Sequence, residues 1–272
     1  MKSIALGQYY PANSFLHRLD PRIKIILAIM YIVCSFLCRN VLSFALLAIS
    51  AIVLIFVGNI PLKTVLRGLR PVLFILIFTA LINIFWTSGD TLLFEWRFVK
   101  IYLDGIFNAI FIMIRIASLI VGTSMFMTYT TTPIDLTDGI EDLLSPLKKL
   151  HVPVHEFAMM MTIALRFIPT LVEETDKIMT AQKARGADFT SGSLVSRAKA
   201  LIPVLIPLFV SAFNRAADLA TAMECRCYHG GDGRTRMKVR HLRVADIIPL
   251  FVMILFGAAL VVFNVVGVGF SM

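Results

Sequence analysis

Apolar and polar positions divide this chain into two kinds of segment. Five long runs carry almost no charge: Ile23–Cys38, Val41–Val57, Val72–Trp86, Gly105–Met127 and Ile247–Phe270. A helix that crosses a bilayer needs about 20 mostly apolar residues. The first three runs are shorter than that, so they tilt little or extend into the interface. Pro71 stands just before the third run, where a helix accepts proline as its first residue.

Between the fourth and fifth runs the pattern changes. PIDLTDGIEDLLSPLKKL, 133–150, reads as a short amphipathic helix started at Thr132 or Pro133. Its acids come first and Lys148–Lys149 last, as the helix dipole favours. Pro153 breaks it. From Val154 to Ala184, Phe157, Met161, Leu165, Ile168 and Val172 recur at three- and four-residue steps, opposite Glu173, Glu174, Asp176 and Lys177. Gly186 supplies the stop. A polar loop, ADFTSGSL, precedes a third helix over Ser196–Glu224, with Ser196 as its cap. Pro203 and Pro207 predict a kink in it. Ala212, Ala216, Ala217, Ala220 and Ala222 offer a close approach to another helix. Neither long helix is a comfortable span: the first carries too many charges, and if both crossed, their ends would still emerge on one side, so they predict a layer at the cytoplasmic surface. The expected fold is all-α: a polytopic membrane protein with about five transmembrane helices plus long cytoplasmic helices. Its parts are 1–127 (arm and spans one to four), 128–246 (cytoplasmic region) and 247–272 (last span).

Composition agrees. The chain is 58% hydrophobic and 16% charged, against 45–50% and about a quarter in soluble domains. The net charge of +9 sits at the ends of apolar runs, which is a topology signal rather than a nucleic-acid footprint. Lys2, Arg18, Arg22 and Lys24 mark the N-terminal arm, and Lys63, Arg67 and Arg70 the loop after the second run. The other loops hold Arg39 alone, and Arg97 and Lys100 against Asp90, Glu95 and Asp104. The N-terminus is therefore expected inside and the C-terminus outside. The arm has no continuous apolar stretch or cleavage site and does not read as a signal peptide. The four cysteines form no secreted disulfide framework.

Arg115 lies inside the fourth run. Buried in a membrane, an arginine either bonds helix ends and polar neighbours or marks a substrate path. The second choice would make the chain a self-sufficient secondary transporter, which also calls for inverted repeats and broken spans; the sequence has neither. No catalytic constellation stands out, and no cofactor is implied.

One small pattern occurs twice: AQKARG at 181–186 and AMECRC at 222–227. Each places an arginine, Arg185 or Arg226, between small residues at the end of a long helix. A guanidinium fork pairs bidentately with carboxylates or with exposed carbonyls. Two such tips, Ala184-Arg185-Gly186 and Cys225-Arg226-Cys227, suit two similar receiving subunits.

The chain resembles the transmembrane scaffold, or T component, of energy-coupling factor (ECF) transporters of the ABC class. The likeness runs through HRLDPRIKI (17–25), TTTPIDL (130–136), LRFIPTLVEE (165–174), AQKARG, IPLFVSAFNRAADLATAMECRCY (206–228) and the single final span. The resemblance implies that two Ala-Arg-Gly motifs end coupling helices and dock two ABC-type ATPases. Cysteines replace both small neighbours in the second motif. It also implies a non-catalytic subunit, with ATP hydrolysis in the partners. A small substrate-binding membrane protein, the S component, is the third kind of partner, and the cargo is a vitamin or trace metal ion. Pro203, Pro207 and the methionines of 159–161 fit an apolar surface that accepts such a partner.

Other patterns carry less. Cys225, Cys227 and His229 lack a fourth zinc ligand. His151 and His155 are separated by Pro153. HGGDGR, 229–234, lacks the Gly-Lys-Ser/Thr of a phosphate loop. The basic run 234–243 reads as a headgroup anchor.

Overall fold

A computed structural model describes residues 9–87, 92–96, 99–189, 191, 193–230 and 242–266. The anchor residues 234–241, Asp90, Arg97 and the last part of the fifth run, 267–270, lie outside the described residues. The chain forms two compact units: residues 1–139 with 240–272, and residues 140–239.

The first unit holds α1 (Phe15–Arg18), α2 (Pro21–Leu37), α3 (Val41–Gly58) and α4 (Leu62–Trp86). It continues with α5 (Leu103–Thr123), a π-helical turn (Ser124–Thr128) and, much later in the chain, α9 (Val244–Val266). Helix α6 (Pro133–Leu144) runs across the unit boundary. A small antiparallel hairpin joins α4 to α5: β1 (Leu92–Trp96) and β2 (Val99–Tyr102), with Trp96 opposite Val99. The sequence pattern alone predicts a loop there. Its alternation is too brief to signal a strand, and the fold remains helical.

Local chemistry sets several boundaries. Asp20 caps α2 by accepting from the Arg22 N–H at 2.9 Å, with Pro21 in the first position. The loop into α4 turns at Asn59, whose φ of +54° is the left-handed conformation that asparagine tolerates. Pro71 does not open the third span. Helix α4 starts nine residues earlier, after Pro61, and Pro71 lies inside it. Helix α6 ends at Leu144, and Ser145–Leu150 tighten into a 3₁₀ turn closed by His151 at φ +61°.

Five helices are long and apolar enough to cross a membrane: α3, α4, α5 with its π turn, α8 (Leu194–Cys225) and α9. That is the expected number with a different membership. Helix α2 has 17 residues and reaches about 25 Å, short of the ~30 Å hydrocarbon core. It nevertheless packs against α5 and α9. In α8, only residues 200–214 lie between Lys199 and Arg215, so the uncharged stretch covers about 22 Å.

The core of the first unit centres on Tyr31, which is 1% exposed. Its ring stands edge-on to Phe126 and stacks on Phe256, and its hydroxyl shares a hydrogen bond with Ser50 Oγ at 3.2 Å. The ring lies directly over Gly122, where any Cβ would overlap it. Leu27, Phe44, Leu47, Phe111 and Leu260 fill the same cluster. Outward, Phe56, Phe74 and Trp86 are more than 70% exposed. Large apolar groups turned outward on all sides suit hydrocarbon as the solvent.

Two polar clasps tie α9 to the start of the chain. At one end the Asp246 carboxylate accepts from the Asp20 N–H at 3.2 Å and the Arg243 N–H at 2.9 Å. Beside it, buried Lys24 donates to the Thr130 carbonyl at 2.8 Å. At the other end Asn264 Nδ2 donates to the Leu37 carbonyl at 2.6 Å, and its Oδ1 accepts from Ser43 Oγ at 2.9 Å. Asn40 Nδ2 donates to the Phe263 carbonyl at 3.1 Å. Each closes groups that a helix end leaves unsatisfied.

The second unit is built from α7 (Val154–Ala184), whose bounds match the sequence pattern, and α8, packed against it. The cap of α8 is Ser193, which accepts from the Ser196 N–H at 3.3 Å; Ser196 is a residue of the first turn. Pro203 and Pro207 both lie within the one continuous helix. His155 Nδ1 meets Glu141 Oε1 at 3.0 Å and joins the start of α7 to α6.

Candidate functional site at the two helix tips

Helix α7 ends by a mechanism that can be read bond by bond. Arg185 is its C-cap at φ −84°, ψ 5°. Gly186 follows at φ +87°, where an added Cβ would meet nothing but where L-residues are strained. The Gly186 N–H donates to the Lys183 carbonyl at 3.0 Å, and the Ala187 N–H to the Gln182 carbonyl at 3.0 Å. Those two bonds define a Schellman motif.

The second tip repeats it. Arg226 caps α8 at φ −93°, ψ 14°. Cys227 takes the glycine position at φ +55°, with its N–H on the Glu224 carbonyl at 2.8 Å. The Tyr228 N–H reaches the Met223 carbonyl at 3.0 Å. So the repeated hexapeptide is a repeated three-dimensional object, with an arginine in one place in each copy. Ala184, Arg185, Gly186, Cys225, Arg226 and Cys227 are all exposed. Among the described residues no hydrogen bond or ion pair engages either guanidinium.

A cysteine in the left-handed region costs about 1 kcal/mol relative to glycine. Cys227→Gly is therefore expected to tighten the last turn of α8. Hydrogen exchange of its amides should slow by about fivefold. Unchanged exchange would mean that the turn is not limited by this conformation.

Two contacts fix how the helices cross. Gln182 Nε2 donates to the Pro203 carbonyl at 3.5 Å, and Arg215 Nη2 to Glu174 Oε2 at 2.6 Å. Going back along α7 means going forward along α8, so the pair is antiparallel. From Pro203 to Arg226 the helix covers roughly 35 Å, while Arg185 lies one turn past Gln182. The two arginines thus stand at opposite ends of the pair. The Glu174–Arg215 clamp was invisible in the sequence, because both residues read as members of solvated faces. The alanines expected to seat α8 do so only in part: Ala212 is half-buried, while Ala216, Ala217, Ala220 and Ala222 are exposed.

Much of the remaining surface of α8 is apolar. Leu205, Ile206, Phe209, Val210 and Phe213 are each more than half exposed. On α7 Phe157 and Met160 are as open.

The matched family and relatives now bear on these tips. A family model described as a cobalt transport protein, CbiQ, matches residues 12–238. The energy-coupling factor transporter transmembrane protein EcfT of Ruminiclostridium cellulolyticum is 53% identical over 256 residues, covering 94% of this chain and 95% of that relative. The chain belongs to the EcfT family. The relative of the same description in Bacillus subtilis is 50% identical over 238 residues, 88% of this chain and 89% of its own. That of Acidaminococcus fermentans is 48% identical over 254 residues, 93% and 94%. As an EcfT-family protein, the chain is the transmembrane component of an ECF transporter and a multi-pass membrane protein. Both arginine tips fall within the matched stretch.

Arg115 has a structural setting in this EcfT-family fold. Its Nη2 donates to the Cys38 carbonyl at 2.8 Å, at the C-terminus of α2, and its guanidinium carbon lies 5.0 Å from the centre of the Phe44 ring. It thereby caps an orphan helix carbonyl and stacks on an aromatic face. A secondary transporter built on Arg115 is not favoured. Arg115→Leu is expected to destabilise the protein by about 1–3 kcal/mol, since the carbonyl is left unpaired. The thermal midpoint in detergent should fall while cargo preference stays the same; a changed preference would return Arg115 to a substrate path. Among the described residues no three His, Cys, Asp or Glu converge as a metal site.

Proposed function

We propose that this EcfT-family subunit is the non-catalytic scaffold through which two ABC-type ATPases drive a substrate-binding membrane subunit. The observation that supports the reading is the pair of equivalent helix tips, each presenting an exposed arginine on a Schellman turn. Their placement at opposite ends of an antiparallel pair gives each ATPase its own tip. Rigid helices transmit displacement from the tips along their length. Exposed Leu205, Phe209 and Phe213 of α8, with Phe157 and Met160 of α7, form the surface that cradles the S component. The cargo is a vitamin or a trace metal ion, and no nucleic acid takes part.

Residues 128–246 form the cytoplasmic coupling region between spans 1–127 and 247–272, with the N-terminus in the cytoplasm. On this reading α2 crosses the membrane beside α5 and α9. Helix α8 lies at its surface together with α7, whose charged face carries the Glu174 that pairs with Arg215. A mild-detergent pull-down of the tagged chain tests the proposal. Two ABC-type ATPases should accompany it, and the chain alone should not transport. A chain that purifies alone and transports in liposomes would overturn the reading.

A further inference from the structure

Along one side of the first unit runs an apolar groove of about 400 Å³ between α1, α2, α3 and α9. Its walls on α3 extend from Leu46 to Val57 and on α9 from Ile248 to Phe256. Those stretches measure roughly 16 and 12 Å along the helix axes. One leaflet of hydrocarbon is about 15 Å deep. The groove therefore has the length of a single leaflet. It is set toward one leaflet, because residues 46–57 of α3 and the N-terminal half of α9 lie toward the end of the unit where the arm enters. Tyr31 and Ser50 contribute the polar atoms in its wall, and they bond each other at 3.2 Å. What remains offers contact to methylenes.

The mouth is basic. Arg18 is exposed and sits on α1 between the groove residues Leu16 and Leu19. Arg243 is exposed and lies just before α9, five residues ahead of Ile248. The Asp246 carboxylate holds the two segments together through the Asp20 and Arg243 N–H groups, and the Asp20 carboxylate accepts from the Arg22 N–H. The Asp20 and Asp246 carboxylates are thus engaged by backbone amides, and the Arg18 and Arg243 side chains remain exposed.

We propose that this groove is a binding site for one phospholipid with an anionic headgroup, its acyl chain along α3 and α9 and its phosphate between Arg18 and Arg243. The leaflet is defined by the N-terminal arm, so the site does not depend on which side of the membrane the arm occupies, nor on the ATPase-docking role of the helix tips.

Native mass spectrometry of the full chain in detergent, with added dioleoyl phosphatidylglycerol or phosphatidylcholine, tests it. The wild type should keep one phosphatidylglycerol after collisional activation has stripped the others. It should prefer phosphatidylglycerol to phosphatidylcholine by roughly 10–30-fold, the contribution of two basic residues at a headgroup. Val53→Phe/Val252→Phe, which fills the groove, should abolish retention of both lipids. Should that variant fail to fold, Arg18→Gln/Arg243→Gln, which alters only exposed side chains, should erase the preference. A wild type that retains no lipid, or retains both lipids equally, would overturn the site, as would undiminished retention in a folded groove-filled variant. A partner helix occupying the groove produces the first of these results.

Discussion

Replacing Arg185 by glutamate should release one ATPase subunit from the complex, and Arg226→Glu the other. On the proposed docking role, each change removes a guanidinium from a contact desolvated in the complex and sets a carboxylate against the acceptor that received it. Losses of this kind cost about 2–5 kcal/mol, which weakens the contact by roughly 30- to 5,000-fold. The chain itself should be unaffected, since both side chains are exposed and their caps are made by backbone atoms. Circular dichroism and the thermal midpoint then report a folded protein, while the pull-down shows half the ATPase for each single variant and none for the double. ATP-driven uptake should disappear in all three. Full ATPase content in the double variant would show that the tips are not the docking points. Arg185→Lys separates charge from shape: a lysine keeps the charge and loses the fork, so partial binding is expected.

The second large effect belongs to the membrane unit. Gly122→Ala adds one carbon where the Tyr31 ring already lies. That ring cannot swing aside: Phe126 and Phe256 hold its faces and edge, and Ser50 its hydroxyl. Overpacking of this kind costs about 1–3 kcal/mol and occasionally more, and this site has no slack. Folded yield and thermal midpoint should both fall sharply. In the double variant Gly122→Ala/Tyr31→Leu the alanine should cost little, because the ring it strikes is gone. Such strong non-additivity is the mark of residues in contact. Additive losses would mean that Tyr31 and Gly122 do not pack as described.

Local chemistry was legible in the sequence. Val154–Ala184 emerged with its bounds because an apolar stripe, Pro153 and Gly186 all act within one turn of the helix ends. The repeated hexapeptide announced a repeated cap, although only the structure shows that Cys227 adopts the turn that Gly186 adopts. Where two local rules competed, the sequence was ambiguous. Pro71 is a good first residue, yet the helix had room to start at Leu62, and bilayer helices tolerate an internal proline. Ser193 and Ser196 are both caps by type, and only the backbone chooses between them. Long-range partners left no trace. Asp246 reads as a charge at a span end, Asn264 as a polar residue near a terminus, and Arg115 as a charge in need of a partner. Their acceptors and donors are separated from them by 77 to 226 residues, a distance at which no spacing rule operates.

The Asp246 and Asn264 clasps also set an order of events during synthesis. The first unit is interrupted by residues 140–239, so a ribosome adding about 5–20 residues per second needs roughly 5–20 s to cross the interruption. Through that interval α2 is already made but α9 is not. The Asp20 N–H, the Leu37 carbonyl and the Asn40 amide wait without the partners they will have, and the wall of the core that Met253 and Leu260 later complete faces the bilayer. The earlier spans assemble as an open bundle, and the last helix of the chain closes it.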